Sequence, residues 1–378
     1  MKNDSGQTHG FVRSSWTLRQ IKPRHHSPNM TRKNKALTQK AIAETLGVSV
    51  ATVSLALRNS PLIQASTKQR IRDYVSEVGY IQNRAATALR TGRTRIIGVG
   101  FHDIVHPFFA EMLTATEARL SDDGEAIFVN SHDDDLGKQA RFVASLIEHG
   151  ADGLILSPAL GTQESDLEAF KQAGGAVVLI VRSIPDTSLD FVINDDPECM
   201  RLATSHLIDL GHKQIIMLGG KPGTTTADGR YEGFLTAMSA AGLHANRESW
   251  IHGPAKRLDA HTAIKRLWAS DGPKPTAIAC FNDLVAFGAM SALADLGLEV
   301  GKDVAVVGID DTDEAQVSFP PLTTVTNNAD VIGQTAVKIL RRRLAQPEHP
   351  PMQERLTPYI SIRQSCGTER AVSLKLEV

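Results

Sequence analysis

The chain has 378 residues, 42% of them hydrophobic and 22% charged, an ordinary balance for a soluble globular protein of two or three domains. No apolar run is long enough to cross a bilayer, the N-terminus lacks the apolar core of a secretory signal, and Cys199, Cys280 and Cys366 lack metal-ligand spacing, so no membrane span and no metal are expected and the setting is a reducing cytoplasm. The net charge of −1 hides an asymmetry: residues 1–95 hold 17 Lys and Arg against 4 Asp and Glu, and the remainder 24 against 38. A basic head on an acidic body suits a polyanionic partner, above all nucleic acid. The plainer alternative is a basic tail without a partner, since residues 1–35 alone carry a net +7. Those residues read as a disordered basic extension, and Met30 is an alternative first residue.

Residues 36–82 read as three short helices. Thr38 is a good N-cap for a helix over Gln39–Leu46, which Gly47 stops. Ser49 caps a second helix, Val50–Arg58. After the break at Pro61, Ser66 or Thr67 opens a third, with Ile71, Tyr74, Val75 and Val78 at helical spacing and Gly79 at its end. Two helices across a tight turn with a third to close the core is the helix-turn-helix plan. At 100° per residue, Thr52, Val53, Ala56 and Leu57 fall on one side of the second helix, facing helices one and three. Val50, Ala51, Ser54, Leu55 and Arg58 fall on the other. Exposed apolar side chains on a small basic head mark a contact surface, although single ones are ordinary.

From Arg95 onward strands alternate with helices. Ile96–Gly100, Ala126–Asn130, Gly153–Leu156 and Ala176–Val181 read as buried strands, with a helix from Pro107 to about Leu120. The rhythm restarts at Gln214–Leu218, Trp250–Ile251, Ala277–Cys280 and Val304–Val307. Short apolar runs of this kind predict parallel sheets covered on both faces, and two sets predict two lobes with a ligand cleft between them.

The stretch LTQKAIAETLGVSVATVSLALRNSP, continued by STKQRIR, VGY and NRAATALR, resembles the DNA-binding head of the LacI/GalR family of bacterial transcription regulators. The pieces HPFFAEM, HLIDLGHKQIIMLGG, GRYEGFLTAM, FNDLVAFGAMSALADLGLEVGKDVAVVGIDD and PPLTTV resemble the family's core, which is akin to periplasmic sugar-binding proteins. The resemblance covers residues 36 to about 365. It implies a small all-α head and an α/β core of two doubly wound lobes of the type I periplasmic-binding-protein kind. The domains then run 36–82 (head), 83–94 (hinge helix and linker), 95–366 (effector binding and dimerisation) and 367–378 (tail). Within the core, the first lobe is expected over about 95–193 and 324–350, and the second over about 194–323 and 351–366.

The resemblance implies a repressor without catalytic residues or a cofactor, bound in the bacterial nucleoid to a pseudo-palindromic double-stranded operator as a homodimer. Val50, Ala51 and Leu55 stand at its main major-groove reading positions. Being apolar, they pack on thymine methyls instead of hydrogen-bonding base edges. Thr38, Ser49, Thr52, Ser54 and Arg58 are further candidates at the DNA, and Lys40, Lys68, Arg84 and Arg90 for phosphate contacts. In the hinge helix, Arg84, Ala85, Ala88 and Leu89 match minor-groove positions, and Leu89 is the wedge that opens a base step.

For the effector, His106, Phe108 and Phe109 match the first-lobe loop that meets the ligand. Arg182 and Arg230 match ligand-binding arginines, Asp283 a ligand carboxylate, and Asp310 is a further candidate. Their plain structural alternatives are core packing, ion pairs and a helix cap. The family's aspartate before the fourth-strand arginine is replaced by Val181, and an aromatic after the HG turn by Pro254-Ala255. Two arginines with fewer carboxylates admit an acidic sugar as easily as a neutral one, so the effector is read as a sugar, a sugar acid or a related metabolite. Against an enzyme, the chain has no Gly-x-Gly-x-x-Gly, phosphate loop or Gly-x-Ser-x-Gly elbow. Against a periplasmic binding protein stand the head and the missing signal. The tail has no long leucine heptad series, which argues against a tetramerising coiled coil.

Overall fold

The computed structural model describes residues 38–57, 59–80, 92–122 and 124–368. The chain divides into two compact units, residues 1–82 and 83–378.

The first unit is built from α1 (Gln39–Leu46), α2 (Val50–Leu57) and α3 (Ala65–Glu77). Thr38 Oγ1 accepts from the Ala41 N–H at 3.2 Å and so caps α1. Gly47 takes the left-handed conformation, φ +64°, that the tight turn demands. Ser49 Oγ accepts from the Thr52 N–H at 3.0 Å and starts α2. α3 begins at Ala65, ahead of the expected Ser66 or Thr67, because Lys68 N–H already donates to the Gln64 carbonyl. The core is small: Ile42, Ala43, Val53, Ala56 and Ile71 are buried, with Leu46, Val48, Leu57 and Tyr74 packed around them.

The second unit holds two six-stranded sheets. The first sheet contains β1 (Ile96–Phe101), β2 (Ala126–Ser131), β3 (Gly153–Leu156), β4 (Ala176–Ile180), β5 (Asp190–Asn194) and β11 (Gln353–Leu356), in the order β11-β5-β4-β3-β1-β2, all parallel. The second contains β6 (Ile215–Leu218), β7 (Trp250–Ile251), β8 (Ala277–Cys280), β9 (Ala305–Asp310), β10 (Thr323–Thr326) and β12 (Ile360–Ser361), in the order β12-β10-β9-β8-β6-β7. Only β12 runs antiparallel, against β10. Helices cover both faces of each sheet: α4 (Pro107–Ser121), α5 (Leu136–Glu148), α6 (Glu168–Gln172) and α12 (Ala329–Ala345) in the first lobe, and α7 (Asp196–Asp209), α8 (Thr225–Ala240), α9 (Arg257–Ala269), α10 (Asp283–Asp295) and α11 (Asp313–Val317) in the second. Each sheet therefore has an apolar cluster on either side, and buried strands read as continuous apolar runs.

The chain crosses between lobes after β5, after β10 and after β11. Two expected boundaries shift. β10 belongs to the second sheet, so the return to the first lobe follows Thr326 and not residue 323. Residues 353–356, expected in the second lobe, pair with Phe191–Asn194 of the first. The buried carboxylate of Asp190 holds them there, accepting from the Met352 N–H at 2.7 Å and from Arg343 Nε at 2.7 Å. Among the described residues no single helix is long and apolar enough to cross a membrane.

Candidate functional site

In the head, Val53 and Ala56 face the core while Val50 and Ala51 are exposed, Val50 at 45%. Ser54 and Leu55 are half-buried at the flank of this outward face. Thr38 and Ser49 are exposed at the two helix starts. Thr52 is half-buried, its hydroxyl 2.8 Å from that of Ser49. Lys40 is exposed, and Lys68 Nζ donates to the Asn59 carbonyl at 3.4 Å. Arg58, Arg84, Ala85, Ala88, Leu89 and Arg90 lie outside the described residues.

Between the lobes, α4 starts at a polar cap, α8 follows the glycine-rich turn after β6, and α10 follows β8, so these helix starts and strand ends converge on one cavity. The first lobe supplies His106, Phe108, Phe109 and Arg182 to its wall, and the second Arg230 and Asp310. Phe108 and Phe109 meet edge to face, centroids 5.2 Å apart, and are otherwise part of the first-lobe core. The cavity measures about 50 Å³. A second hollow of about 520 Å³, bounded by residues 158–164, 182–186 and 223–225, shares Arg182 with it.

The charges are largely neutralised from within. Arg182 donates to Asp134 Oδ1 at 2.5 Å and to the Pro158 carbonyl at 3.3 Å, and its Nε has no partner among the described residues. Arg230 donates from Nε to Asp196 Oδ1 at 2.8 Å and also to the Phe281 carbonyl, with its guanidinium 4.5 Å from the Phe281 ring centroid. Burial pushes the Asp196 carboxyl up to about 6 despite the guanidinium beside it.

His106 links the lobes. Asn282 Nδ2 donates to His106 Nε2 at 3.0 Å, and Asp310 Oδ2 lies 3.6 Å from the same nitrogen. The Phe108 N–H points at Nδ1 at 3.3 Å. A neutral imidazole has one acceptor nitrogen, so these contacts compete. Burial lowers the His106 pKa to about 4, which keeps the ring neutral. Asp310 accepts from Asn327 Nδ2 at 2.8 Å on one oxygen, while Oδ2 has no hydrogen-bond partner among the described residues. Burial pushes this carboxyl up to about 7.

Asp283 is not on the cavity wall. It is fully buried and accepts from Thr324 Oγ1 at 2.6 Å, the Thr312 N–H at 2.9 Å and Thr312 Oγ1 at 3.0 Å. Gly308 leaves the room: a Cβ there would sit 2.3 Å from Asp283 Oδ1. Asn282, one residue earlier, caps α10 through the Val285 N–H and takes the wall position instead. Asn282 is the extended N-cap and Asp283 the first helical residue, so the two side chains of this Asn-Asp pair point apart. His102, Asn282 and Asn327 on the wall, with Asp134 and Asp196 behind it, were not anticipated from sequence. Asp134 lies in the acidic run Asp133-Asp134-Asp135, which offered a charge signal but no partner.

Residues 38–83 match the family model for bacterial regulatory proteins of the lacI family, and residues 204–366 that of a periplasmic binding protein-like domain. The HTH-type transcriptional repressor PurR of Pasteurella multocida is 31% identical over 329 residues, 87% of this chain and 98% of that protein. PurR of Haemophilus influenzae is 30% identical over 331 residues, again 87% and 98%. The chain belongs to the LacI family.

Among solved structures, the Lac repressor dimer bound to operator and the anti-inducer ONPF superposes with a TM-score of 0.75 at 26% identity, covering 88% of this chain and 99% of that one. A LacI-family regulator from Enterococcus faecium with bound ribose gives 0.66 at 25% identity, covering 73% and 100%. This LacI-family chain is accordingly a DNA-binding transcriptional repressor under the control of a small-molecule effector.

Proposed function

We propose that this repressor acts in the cytoplasm, on nucleoid DNA, as a homodimer whose two heads read a pseudo-palindromic operator, and that its effector is a neutral polyhydroxylated molecule of the sugar class. The observation that carries the effector reading is the internal pairing of both cleft arginines, Arg182 with Asp134 and Arg230 with Asp196. What faces the cavity is then a set of neutral or single hydrogen-bonding groups, Asn282, Asn327, Thr226 and Asp310 Oδ2, beside Phe108 and Phe109. Hydroxyl groups donate to and accept from such a set, and a flat aromatic face suits a sugar's C–H face. The expectation of two arginines with fewer carboxylates gives way here, because Asp134 and Asp196 pair with them.

The DNA reading rests on the outward Val50–Ala51 face together with Thr38, Ser49, Thr52, Ser54 and Leu55; Arg58 and the hinge residues Arg84, Ala85, Ala88 and Leu89 lie outside the described residues and enter it from the family likeness alone. In support of the dimer, Val105, Leu258 and Val317 are each more than 70% exposed. They neighbour the ion pairs Asp103–Lys256 and Arg257–Glu314 and come from both lobes. A two-fold arrangement through such a face ties lobe closure to head spacing.

Calorimetry with a panel of neutral sugars and sugar acids tests the effector: preferential binding of acids sinks the neutral reading. Genomic footprinting, repeated at several salt concentrations, tests the operator. Salt-sensitive inverted-repeat sites are expected, and asymmetric or sequence-independent occupancy counts against the dimer reading.

A further inference from the structure

The cavity beside Phe108 and Phe109 measures about 50 Å³, room for about two water molecules. A sugar ring does not fit into it. The neighbouring hollow of about 520 Å³ lies in the size range of small-molecule sites. At roughly 30 Å³ each it holds about 17 water-sized groups, more than a single hexose has heavy atoms. The two spaces share Arg182 as a wall. Its guanidinium is fixed from within by Asp134 and the Pro158 carbonyl, so it stands as a settled partition between them.

The larger hollow bridges the lobes. Residues 158–164 and 182–186 come from the first, and 223–225, at the start of α8, from the second. The lobes close on each other beside it: a Cβ on Gly223 would lie 3.5 Å from Leu160 Cδ1, and Lys221 Nζ lies 3.7 Å from Asp134 Oδ2. An occupant therefore touches both lobes and biases their closure. The wall chemistry narrows what that occupant is. Among the described wall residues Arg182 is the single cation, and it is already paired with Asp134. Glu164 accepts from Ser188, Thr187 and Lys171, and Asp186 adds a second carboxylate. Two carboxylates without a spare cation repel a phosphate or a sugar acid. The half-buried hydroxyls of Ser183 and Thr225 make no hydrogen bond to a described residue. They stand among Pro158, Leu160, Ile184 and Pro185. Apolar patches with a few placed hydroxyls suit a neutral sugar.

We propose that the effector is a neutral sugar of two rings seated in the larger hollow, that only an end group of it reaches the smaller cavity, and that Ser183 and Thr225 select for the second ring. The inference rests on the reading of the effector as a neutral sugar. It moves the body of the ligand away from the phenylalanines and leaves Asn282, Asn327 and Asp310 to recognise its end group.

Calorimetry on the full chain tests this, with glucose and galactose as one-ring probes and maltose, cellobiose and lactose as two-ring probes built from them. At least one two-ring probe is expected to bind about tenfold or more tighter than either one-ring probe. Ser183→Trp and Thr225→Trp fill the hollow from opposite lobes. Each is expected to erase that advantage while one-ring affinity stays within about threefold. Thermal melts of both variants show that they fold. One-ring binding as tight as the best two-ring binding overturns the proposal and leaves the sugar reading standing. So does an equal loss of one-ring and two-ring affinity in both folded variants. Binding of sugar acids alone, or of no sugar, fails the neutral-sugar reading itself, and the two-ring inference with it.

Discussion

The guanidinium of Arg230 and the carboxylate of Asp196 meet at 2.8 Å with both side chains more than nine-tenths buried. They join the start of α7 to α8 directly beneath the cleft. Removing one member of such a pair strands the other charge, so Asp196→Ala is expected to cost about 3–5 kcal/mol. Asp196→Asn keeps an acceptor oxygen and is expected to cost less. Chemical denaturation of the three proteins checks this, and equal stability of wild type and Asp196→Ala contradicts it.

Asp310 gives the stability a pH signature. Its carboxyl is raised by burial from the ordinary range near 4 to about 7 in the folded protein. Between those values the folded state holds more protons than the unfolded state, so this group's contribution weakens as pH rises through that window. Asp310→Asn removes the term. Relative to wild type, the variant is expected to melt at a higher temperature at pH 8 than the same comparison gives at pH 5. A constant difference across that range rules the effect out.

On the proposed reading face, Val50 is exposed and makes no core contact. Val50→Gln exchanges a methyl-packing side chain for one that pairs with adenine through two hydrogen bonds. The preferred base at one operator position is expected to change, with about 1–3 kcal/mol of discrimination, and head stability to stay within about 0.5 kcal/mol. Selection from a randomised operator library reads this out; an identical base preference removes Val50 from the reading face.

Leu89, outside the described residues, carries the hinge expectation. Leu89→Ala is expected to weaken specific operator binding by more than tenfold while effector binding stays constant. Unchanged operator affinity in a salt-matched titration excludes the wedge.

Gly233 sits where α8 crosses α7. A Cβ there would lie 1.9 Å from the Pro197 carbonyl oxygen, which is backbone and does not rotate away. Gly233→Ala is expected to destabilise the body by about 3 kcal/mol, the upper end for overpacking. Gly174→Ala, at a surface turn with open space around it, bears only the left-handed backbone penalty of about 1–2 kcal/mol. Thermal melts of the two variants should rank them in that order.

Local chemistry made much of this legible. Thr38, Ser49 and Gly47 marked the head's helix ends, and strands such as Gly153–Leu156 and Ala277–Cys280 showed as apolar runs. What escaped notice was polar or distant. β5 opens with Asp190, whose burial depends on Arg343, 153 residues away. β11 reads Gln-Glu-Arg-Leu and has no apolar signature. The Asp134–Arg182 and Asp196–Arg230 pairs span 48 and 34 residues and leave no spacing motif. Asp283 misled because a helix start separates adjacent residues in direction, and only the packing of Thr312 and Thr324 decides which one turns inward.

The three passages between the lobes carry a consequence for biosynthesis. Gln353–Leu356 completes one sheet, and Ile360–Ser361 with the Ser365 hydroxyl, bonded to Val306, completes the other. Domains commonly fold in turn as the ribosome delivers them, but here neither lobe has its last strand until residues 353–361 have emerged. A ribosome that stops before Gln353 leaves both sheets one strand short, with β5 and β10 as uncovered edges open to pairing with another chain.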